Sequence, residues 1–339
     1  MKLHDWTQPH VPKVFEAIDR IIGSRTSPPW ARDEDDELLQ RMCHQHLSTG
    51  GKRLRALLPP ALMAAEGGDV AAGALLGACV EVLHNGTLVH DDIQDGDELR
   101  RGKPTLWREV GVAQAINAGD VMLVAPIAVI SSAPEIPPAA RAELSALLAG
   151  AVTETIRGQV GDLDLKAAQM PTLDHANGIA LAKTGPFFAA CLQGVVILLG
   201  ASDERRAAAH AVGKHIGIAF QVRDDLLDVR GVKGRGQAGA DIREGKPSWP
   251  LLAALQAGPA EQAVALKELL ERAHSGEPPS PADVERWLQW VEQHGGVQAA
   301  QRALDDNLSA ARRQSSVAFG EQGVALIDAL CTRLEEVDG

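Results

Sequence analysis

Residues 81–95 read Glu-Val-Leu-His-Asn-Gly-Thr-Leu-Val-His-Asp-Asp-Ile-Gln-Asp, the end of a segment that runs apolar from residue 70. The apolar content and period of that segment predict one helix over 70–95. Asp91 and Asp95 stand one turn apart and share a helix face. Like charges in that relation weaken a helix unless something neutralises them. A second stretch, Gln221-Val-Arg-Asp-Asp-Leu-Leu-Asp228, sets Asp224 and Asp228 in the same relation. Apolar residues flank both clusters: Val80, Val82, Leu83, Leu88 and Val89 for the first, Ile216, Ile218, Phe220, Leu226 and Leu227 for the second. One such pentad alone reads as a solvated acidic face. Two, each inside an apolar helix, read as inward carboxylate pairs. Mg²⁺ is their natural partner, because it takes a few protein carboxylates and completes its shell with water and phosphate. The acidic run 33–37 differs, reading as a solvated helix start where acids suit the macrodipole.

The rest of the chain follows the same pattern. Ala and Leu are abundant helix formers, and alternating β-branched runs are nearly absent, so the fold class is all-α. Helices are expected over 10–23, 33–48, 52–66, 70–95, 108–131, 138–167, 173–199, 203–230, 248–272, 281–293, 297–314 and 319–336. Ser280, Pro281 and Asp283 form a helix start. Residues 231–250 read as a long glycine-rich, charged loop of the kind that forms lids. No repeat or linker divides the chain, so a single domain over 1–339 is expected, with its polar motifs within 50–252.

Composition narrows the function. The 339 residues carry 33 Lys and Arg against 45 Asp and Glu, a net charge of −12. That balance speaks against a nucleic-acid partner, which requires a basic face. No run of 18 apolar residues predicts a transmembrane helix, and the first residues lack the apolar core of a signal peptide. Cys43, Cys79, Cys191 and Cys331 show no metal spacing and fit a reduced, cytoplasmic setting.

Cations answer the acids. Gly50-Gly51-Lys52-Arg53-Leu54-Arg55 opens a helix with three cations in four residues, which suits a phosphate or diphosphate. Arg100-Arg101-Gly102-Lys103 follows the first acidic cluster, Lys183-Thr184-Gly185 interrupts an apolar helix, and Lys246 ends the long loop. A lone buried lysine requires an acid or an anion. His84, seven residues before Asp91, returns to the same helix face. A Mg²⁺-chelated diphosphate is the simplest ligand that meets all these needs.

Taken in order, GGKRLR at 50–55, EVLHNGTLVHDDIQD at 81–95, RRGKPT at 100–105, NAGD at 117–120, GQVGDLD at 158–164, KTG at 183–185, GIAFQVRDDLLD at 217–228 and GADIREGKPSWPL at 239–251 resemble the trans-isoprenyl diphosphate synthase family, or polyprenyl synthetases. The resemblance implies a bundle of about 10–13 helices around a deep central cavity, usually as a homodimer with three Mg²⁺ ions. It implies a transferase that joins isopentenyl diphosphate to an allylic diphosphate. On this implication Asp91 and Asp95 ligate two ions and Asp224 the third, with Asp225 and Asp228 in support through water. Asp228 is counted with the ligands, and Asp92 with the catalytic acids. Arg100, Lys183, Thr184, Gln221 and Lys246 contact the allylic substrate. Lys52, Arg55, His84 and Arg101 bind isopentenyl diphosphate, and Arg53 is counted with the substrate-binding residues. One departure is Gln237, where the family carries Lys; Lys233 and Arg235 lie near it. A class I terpene cyclase, or a non-catalytic partner subunit, would lack part of this set. The family's bulky aromatic floor, four or five residues before the first Asp, is replaced by Gly86 and Thr87, with Leu83 beyond. Product of C20 or longer is expected, with C15 as the alternative.

Overall fold

The computed structural model describes residues 1–24, 32–167, 172–231, 238–274 and 276–336. Its helices run α1 (Leu3–Thr7), α2 (Val11–Ile22), α3 (Asp33–Leu47), α4 (Leu54–Ala65), α5 (Val70–Asp95), α6 (Leu106–Val110), α7 (Val112–Ser132), α8 (Pro138–Ala167) and α9 (Leu173–Lys183). There follow α10 (Gly185–Leu198), α11 (Asp203–Val229), α12 (Ala240–Arg243), α13 (Trp249–Ala257), α14 (Ala260–His274), α15 (Pro281–Gln293), α16 (Gly296–Ala318) and α17 (Glu321–Glu335). Among the described residues the only sheet is an antiparallel hairpin of β1 (Leu99–Arg100) and β2 (Lys103–Pro104). The fold is all-α.

Three expected helices, 70–95, 138–167 and 281–293, have the observed bounds. Asp69 caps α5 by accepting from the Ala71 amide at 2.8 Å, and Gly96, at φ +69°, ends it. Elsewhere single expected helices are split. Gly111, at φ +81°, separates α6 from α7; Thr184 separates α9 from α10; and Gly258-Pro259 separates α13 from α14. These breaks, with α1 and α12, raise the number of helices above the 10–13 expected.

The chain divides into two compact units. One comprises Met1–Thr153, Ala189–His210 and Ser316–Leu326; the other comprises Glu154–Phe188, Ala211–Ser315 and Ile327–Gly339.

In the first unit α5 is buried along most of its length and packs against α2, α4 and α7. Two of its faces carry close contacts. Toward α4, a methyl group on Gly77 would lie 2.0 Å from the Ala56 carbonyl oxygen. Toward α7, Cys79 Sγ donates to the Pro126 carbonyl at 3.5 Å, and His90 Nε2 lies 3.4 Å from the Ile116 carbonyl. All four cysteines are free and buried.

In the second unit the later part of α11 approaches the start of α10 so closely that a methyl group on Gly217 would lie 2.5 Å from Gly185 Cα. Phe188 and Phe220 pack with ring centroids 5.7 Å apart. The segment read as a long loop is corrected here. Its described part, 238–250, contains α12 and the start of α13, and Ala240, Asp241, Ile242, Ser248 and Trp249 are buried. Residues 232–237, with Lys233, Arg235 and Gln237, lie outside the described residues.

Among the described residues two helices, Val70–Asp95 and Val112–Ser132, are long and apolar enough to cross a membrane, although neither holds an unbroken apolar run of 18 residues. The apolar window of α5 is 89% buried inside the protein, so core packing accounts for its composition. That of α7 is 39% buried.

Gly77→Ala is expected to destabilise the protein. Helix propensity favours alanine by about 1 kcal/mol. Overpacking against a backbone carbonyl costs roughly 1–3 kcal/mol and prevails. Chemical unfolding of the variant and the parent measures the difference.

Candidate active site

The first acidic cluster lies on the last turn of α5. Asp91 is half-buried and Asp95 exposed, while Asp92 is buried. Asp92 points to Arg100, whose Nε donates to Oδ1 at 2.8 Å and whose Nη2 donates to the same oxygen at 2.5 Å. Burial raises the Asp92 carboxyl above its usual range, and the Arg100 guanidinium opposes that rise. Arg100 is delivered by the hairpin. Arg101 (φ +53°) and Gly102 (φ +77°) form its two-residue turn, with both residues in the left-handed region that such turns require. The Asp92–Arg100 pair therefore ties the hairpin to the end of α5.

The segment GGKRLR is a strained turn into α4. Gly50 and Gly51 have φ of +97° and +131°, and Arg53, the residue before α4, has φ +47°. That last conformation costs a non-glycine residue roughly 1–2 kcal/mol. Lys52 is exposed. Arg101 lies directly over Gly51, so close that a methyl group there would be 2.7 Å from its Nη1. Arg55 Nη1 lies 3.4 Å from His84 Nε2. The four residues assigned to isopentenyl diphosphate thus belong to one neighbourhood. Arg53 turns inward instead: its Nη1 is 3.4 Å from Glu81 Oε1, its Nη2 donates to the Leu47 carbonyl at 2.6 Å, and its guanidinium lies 5.0 Å from the Phe15 ring centre.

Sequence reasoning missed two groups in this neighbourhood. Glu81 is buried beside Arg53, and its signal was an acid inside the apolar run of α5. His46 is buried in the last turn of α3, with no local pattern to single it out. Burial, then Arg100 and Arg101, push the His46 imidazole down to about 3. Burial, then Arg55, Arg100, Arg101 and His46, hold His84 well below its usual range. Both rings are neutral at pH 7.

The second acidic cluster lies at the end of α11. Asp224 is half-buried, and Asp225 and Asp228 are buried. Asp225 Oδ1 accepts from Gln221 Nε2 at 2.8 Å, and its Oδ2 accepts from the Trp249 amide at 2.8 Å. Asp228 Oδ1 accepts from the Ala240 amide at 3.2 Å, and Oδ2 from the Asp241 amide at 3.1 Å. Asp228, expected among the metal ligands, thus holds the start of α12 with one N–H on each oxygen. Lys183 is not a lone cation: its Nζ donates to Asp162 Oδ2 at 2.8 Å, across from α9 to α8. Thr184 sits at the break between α9 and α10. Lys246 Nζ donates to Glu244 Oε2 at 2.8 Å.

The donor chemistry suits a hard divalent cation. Asp91 and Asp95 offer carboxylates at one helical turn, and Asp224 stands half-buried on α11. Among the described residues no three such side chains form a ready-made cage. Mg²⁺ needs none, since one or two carboxylates and substrate phosphates suffice.

The residues assigned to chain length are also placed. Leu83 is fully buried, and Thr87 Oγ1 donates to the His84 carbonyl at 2.7 Å. Gly86, which stands where the family carries its bulky floor, faces α7 closely. A methyl group there would meet Met122 Cβ at 3.0 Å, Leu123 Cδ2 at 3.1 Å and the Gly119 carbonyl at 3.2 Å. Gly86 exists for the close approach of α7.

The two neutral histidines set a pH dependence. A depressed folded-state value means that the unfolded chain binds more protons below about pH 6.5. Stability is then expected to fall with pH from about 6.5 downward, by up to about 1.4 kcal/mol per pH unit for each buried histidine. Unfolding midpoints between pH 7.5 and 5 measure the slope, and His46→Asn is expected to make it shallower.

Residues 36–285 match the polyprenyl synthetase family. The chain is 34% identical over 270 residues to the geranylgeranyl diphosphate synthase of Mycobacterium tuberculosis, covering 78% of this chain and 74% of that protein. It is 35% identical over 244 residues to the farnesyl diphosphate synthase of Bacillus subtilis, covering 70% and 82%. The polyprenyl synthase of Caulobacter crescentus, solved with calcium and isoprenyl diphosphate, has the same fold at a TM-score of 0.79 and 26% identity, over 99% of this chain and 97% of that one. With its acidic helices and its cationic turn, this chain belongs to the polyprenyl synthetase family and is a prenyltransferase.

Proposed function

We propose that this chain condenses isopentenyl diphosphate head to tail with an allylic diphosphate, with Mg²⁺, to give an all-trans product of C20 or longer. The observation that carries this reading is a family match in which both acidic motifs and GGKRLR are intact. Its two compact units act as one catalytic domain. Asp91 and Asp95 hold two Mg²⁺ ions and Asp224 a third. Asp225 and Asp228 support Asp224 by fixing the segment that follows it. Arg100, oriented by Asp92, serves the allylic diphosphate together with Lys183, Thr184, Gln221 and Lys246. Lys52, Arg55, His84 and Arg101 hold the diphosphate of isopentenyl diphosphate, with neutral His84 as a hydrogen-bonding group.

Bound Mg²⁺ would supply positive charge to the departing diphosphate. The allylic C1–O bond then breaks, and the isopentenyl double bond attacks the allylic cation. A proton leaves the adduct to the released diphosphate, so no side-chain nucleophile is required. The protein's cations stabilise charge that develops as the diphosphate departs.

A cytoplasmic homodimer is part of the proposal. Val112, Ile116, Val124 and Ala128 are exposed on one side of α7, with the charged Asp120 midway between Ile116 and Val124, which gives that helix a largely apolar outer stripe.

Purified chain incubated with Mg²⁺, isopentenyl diphosphate and a short allylic diphosphate is expected to yield a polyprenyl diphosphate, and its length is the direct test. Asp91→Ala and Asp224→Ala are each expected to lower kcat by at least about 10²–10³-fold with helicity retained. Unchanged turnover in either variant would overturn its metal role.

Product length supplies a separate test. Thr87 stands one turn below Asp91 on its face. Thr87→Phe is expected to shorten the main product to about C15. Gly86→Phe is expected to lower the unfolding temperature instead, because α7 fills that side. A length change with Gly86→Phe and none with Thr87→Phe would reverse the assignment.

A further inference from the structure

We propose that Arg53 and Glu81 form a positioning pair for the isopentenyl diphosphate site, and that Arg53 acts on the substrate only through the turn it holds. The inference rests on the reading of GGKRLR as that site. Three observations support it. Arg53 occupies left-handed backbone (φ +47°, ψ +33°), and such strain persists only where surrounding contacts impose it. Its guanidinium is committed on three sides, to Glu81, to the Leu47 carbonyl at 2.6 Å and to the Phe15 ring. Glu81 is itself fixed, since Asn85 Nδ2 donates to its Oε1 at 3.1 Å and to its main-chain carbonyl at 2.8 Å. The Arg53 and Glu81 side chains are 12% and 7% exposed, so the pair is shielded from solvent.

The turn that Arg53 sets has Lys52 on one side and Arg55 two residues on, against His84. Arg101 lies over Gly51 of the same turn. Releasing Arg53 from Glu81 would free the backbone to leave the left-handed region and rotate the direction of Lys52. Misplacing a binding group by about 1 Å can cost up to about 10²-fold.

The sign of the Glu81 effect separates positioning from plain electrostatics. Glu81 is a negative charge among cations that face a diphosphate. By charge alone Glu81→Gln would tighten diphosphate binding. As a positioning residue, its neutralisation weakens binding.

The test is steady-state kinetics, with both substrates varied, on Arg53→Lys, Glu81→Gln, the double variant, Phe15→Ala and Lys52→Ala, with unfolding temperatures for each. Arg53→Lys and Glu81→Gln are each expected to raise KM for isopentenyl diphosphate about tenfold. The allylic KM is expected to stay constant, and kcat at saturation to stay within about twofold. The double variant is expected to be no worse than the worse single, because both changes break one interaction. Phe15→Ala, at an exposed ring, is expected to move the same KM by about threefold with the fold intact. A lowered KM with Glu81→Gln, multiplying effects in the double variant, or normal kinetics in both singles would overturn the pair while Lys52→Ala still raises KM. Normal KM with Lys52→Ala would instead overturn the site reading itself, and the inference with it.

Discussion

A buried helix that carries ionisable groups must supply each with a partner, and α5 shows how this chain meets that demand. An isolated charge in a low-dielectric interior costs several kcal/mol even after relaxation. Glu81 is met by Arg53 and Asn85, and Asp92 by Arg100. His84 stays neutral among its arginines. The partners come from GGKRLR and from the hairpin after α5, so pairing the acids also gathers the cations that a diphosphate requires. Removing any one basic partner leaves a buried carboxylate uncompensated, which couples the stability of α5 to the shape of the site.

The two acidic clusters divide their work in the same way. In each, the acid that directly follows the first Asp is buried and structurally committed. Asp92 takes a guanidinium, and Asp225 takes a side-chain amide and a main-chain N–H. The first acids, Asp91 and Asp224, are half-buried. The last acids differ. Asp95 is exposed on the final turn of α5, whereas Asp228 accepts from two consecutive amides at the start of α12. Both Asp225 and Asp228 thus fasten the chain after the second cluster to the helix that bears Asp224. A carboxylate bound by main-chain N–H groups is held in a fixed orientation.

Much of this was legible in the sequence, for identifiable reasons. The extent of α5 followed from its apolar run, and the start of α15 from Ser280 and Pro281, because both signals are local. The acidic and basic motifs stood out through residue type and spacing. What escaped was decided by tertiary contact. The partner of Lys183 is Asp162, on a different helix. The hairpin at 99–104 has no alternating β-branched residues and depends on two left-handed positions at Arg101 and Gly102. Asp225 and Asp228 also anchor 238–250 through main-chain amides, a role that residue type and spacing do not announce.

The position below Asp91 was within reach of helix geometry alone. At about 100° per residue, position 86 lies roughly 140° around the helix from Asp91, position 87 about 40° and position 84 about 20°. His84 and Thr87 therefore share a side of α5 with Asp91, and Gly86 is turned away. The contacts of α5 agree: Cys79, Gly86 and His90 meet Pro126, Met122 and Ile116 of α7. Glycine at 86 and threonine at 87 are both small, but for different reasons. The first makes room for a helix, and the second stands beneath the acid that would hold the reacting end.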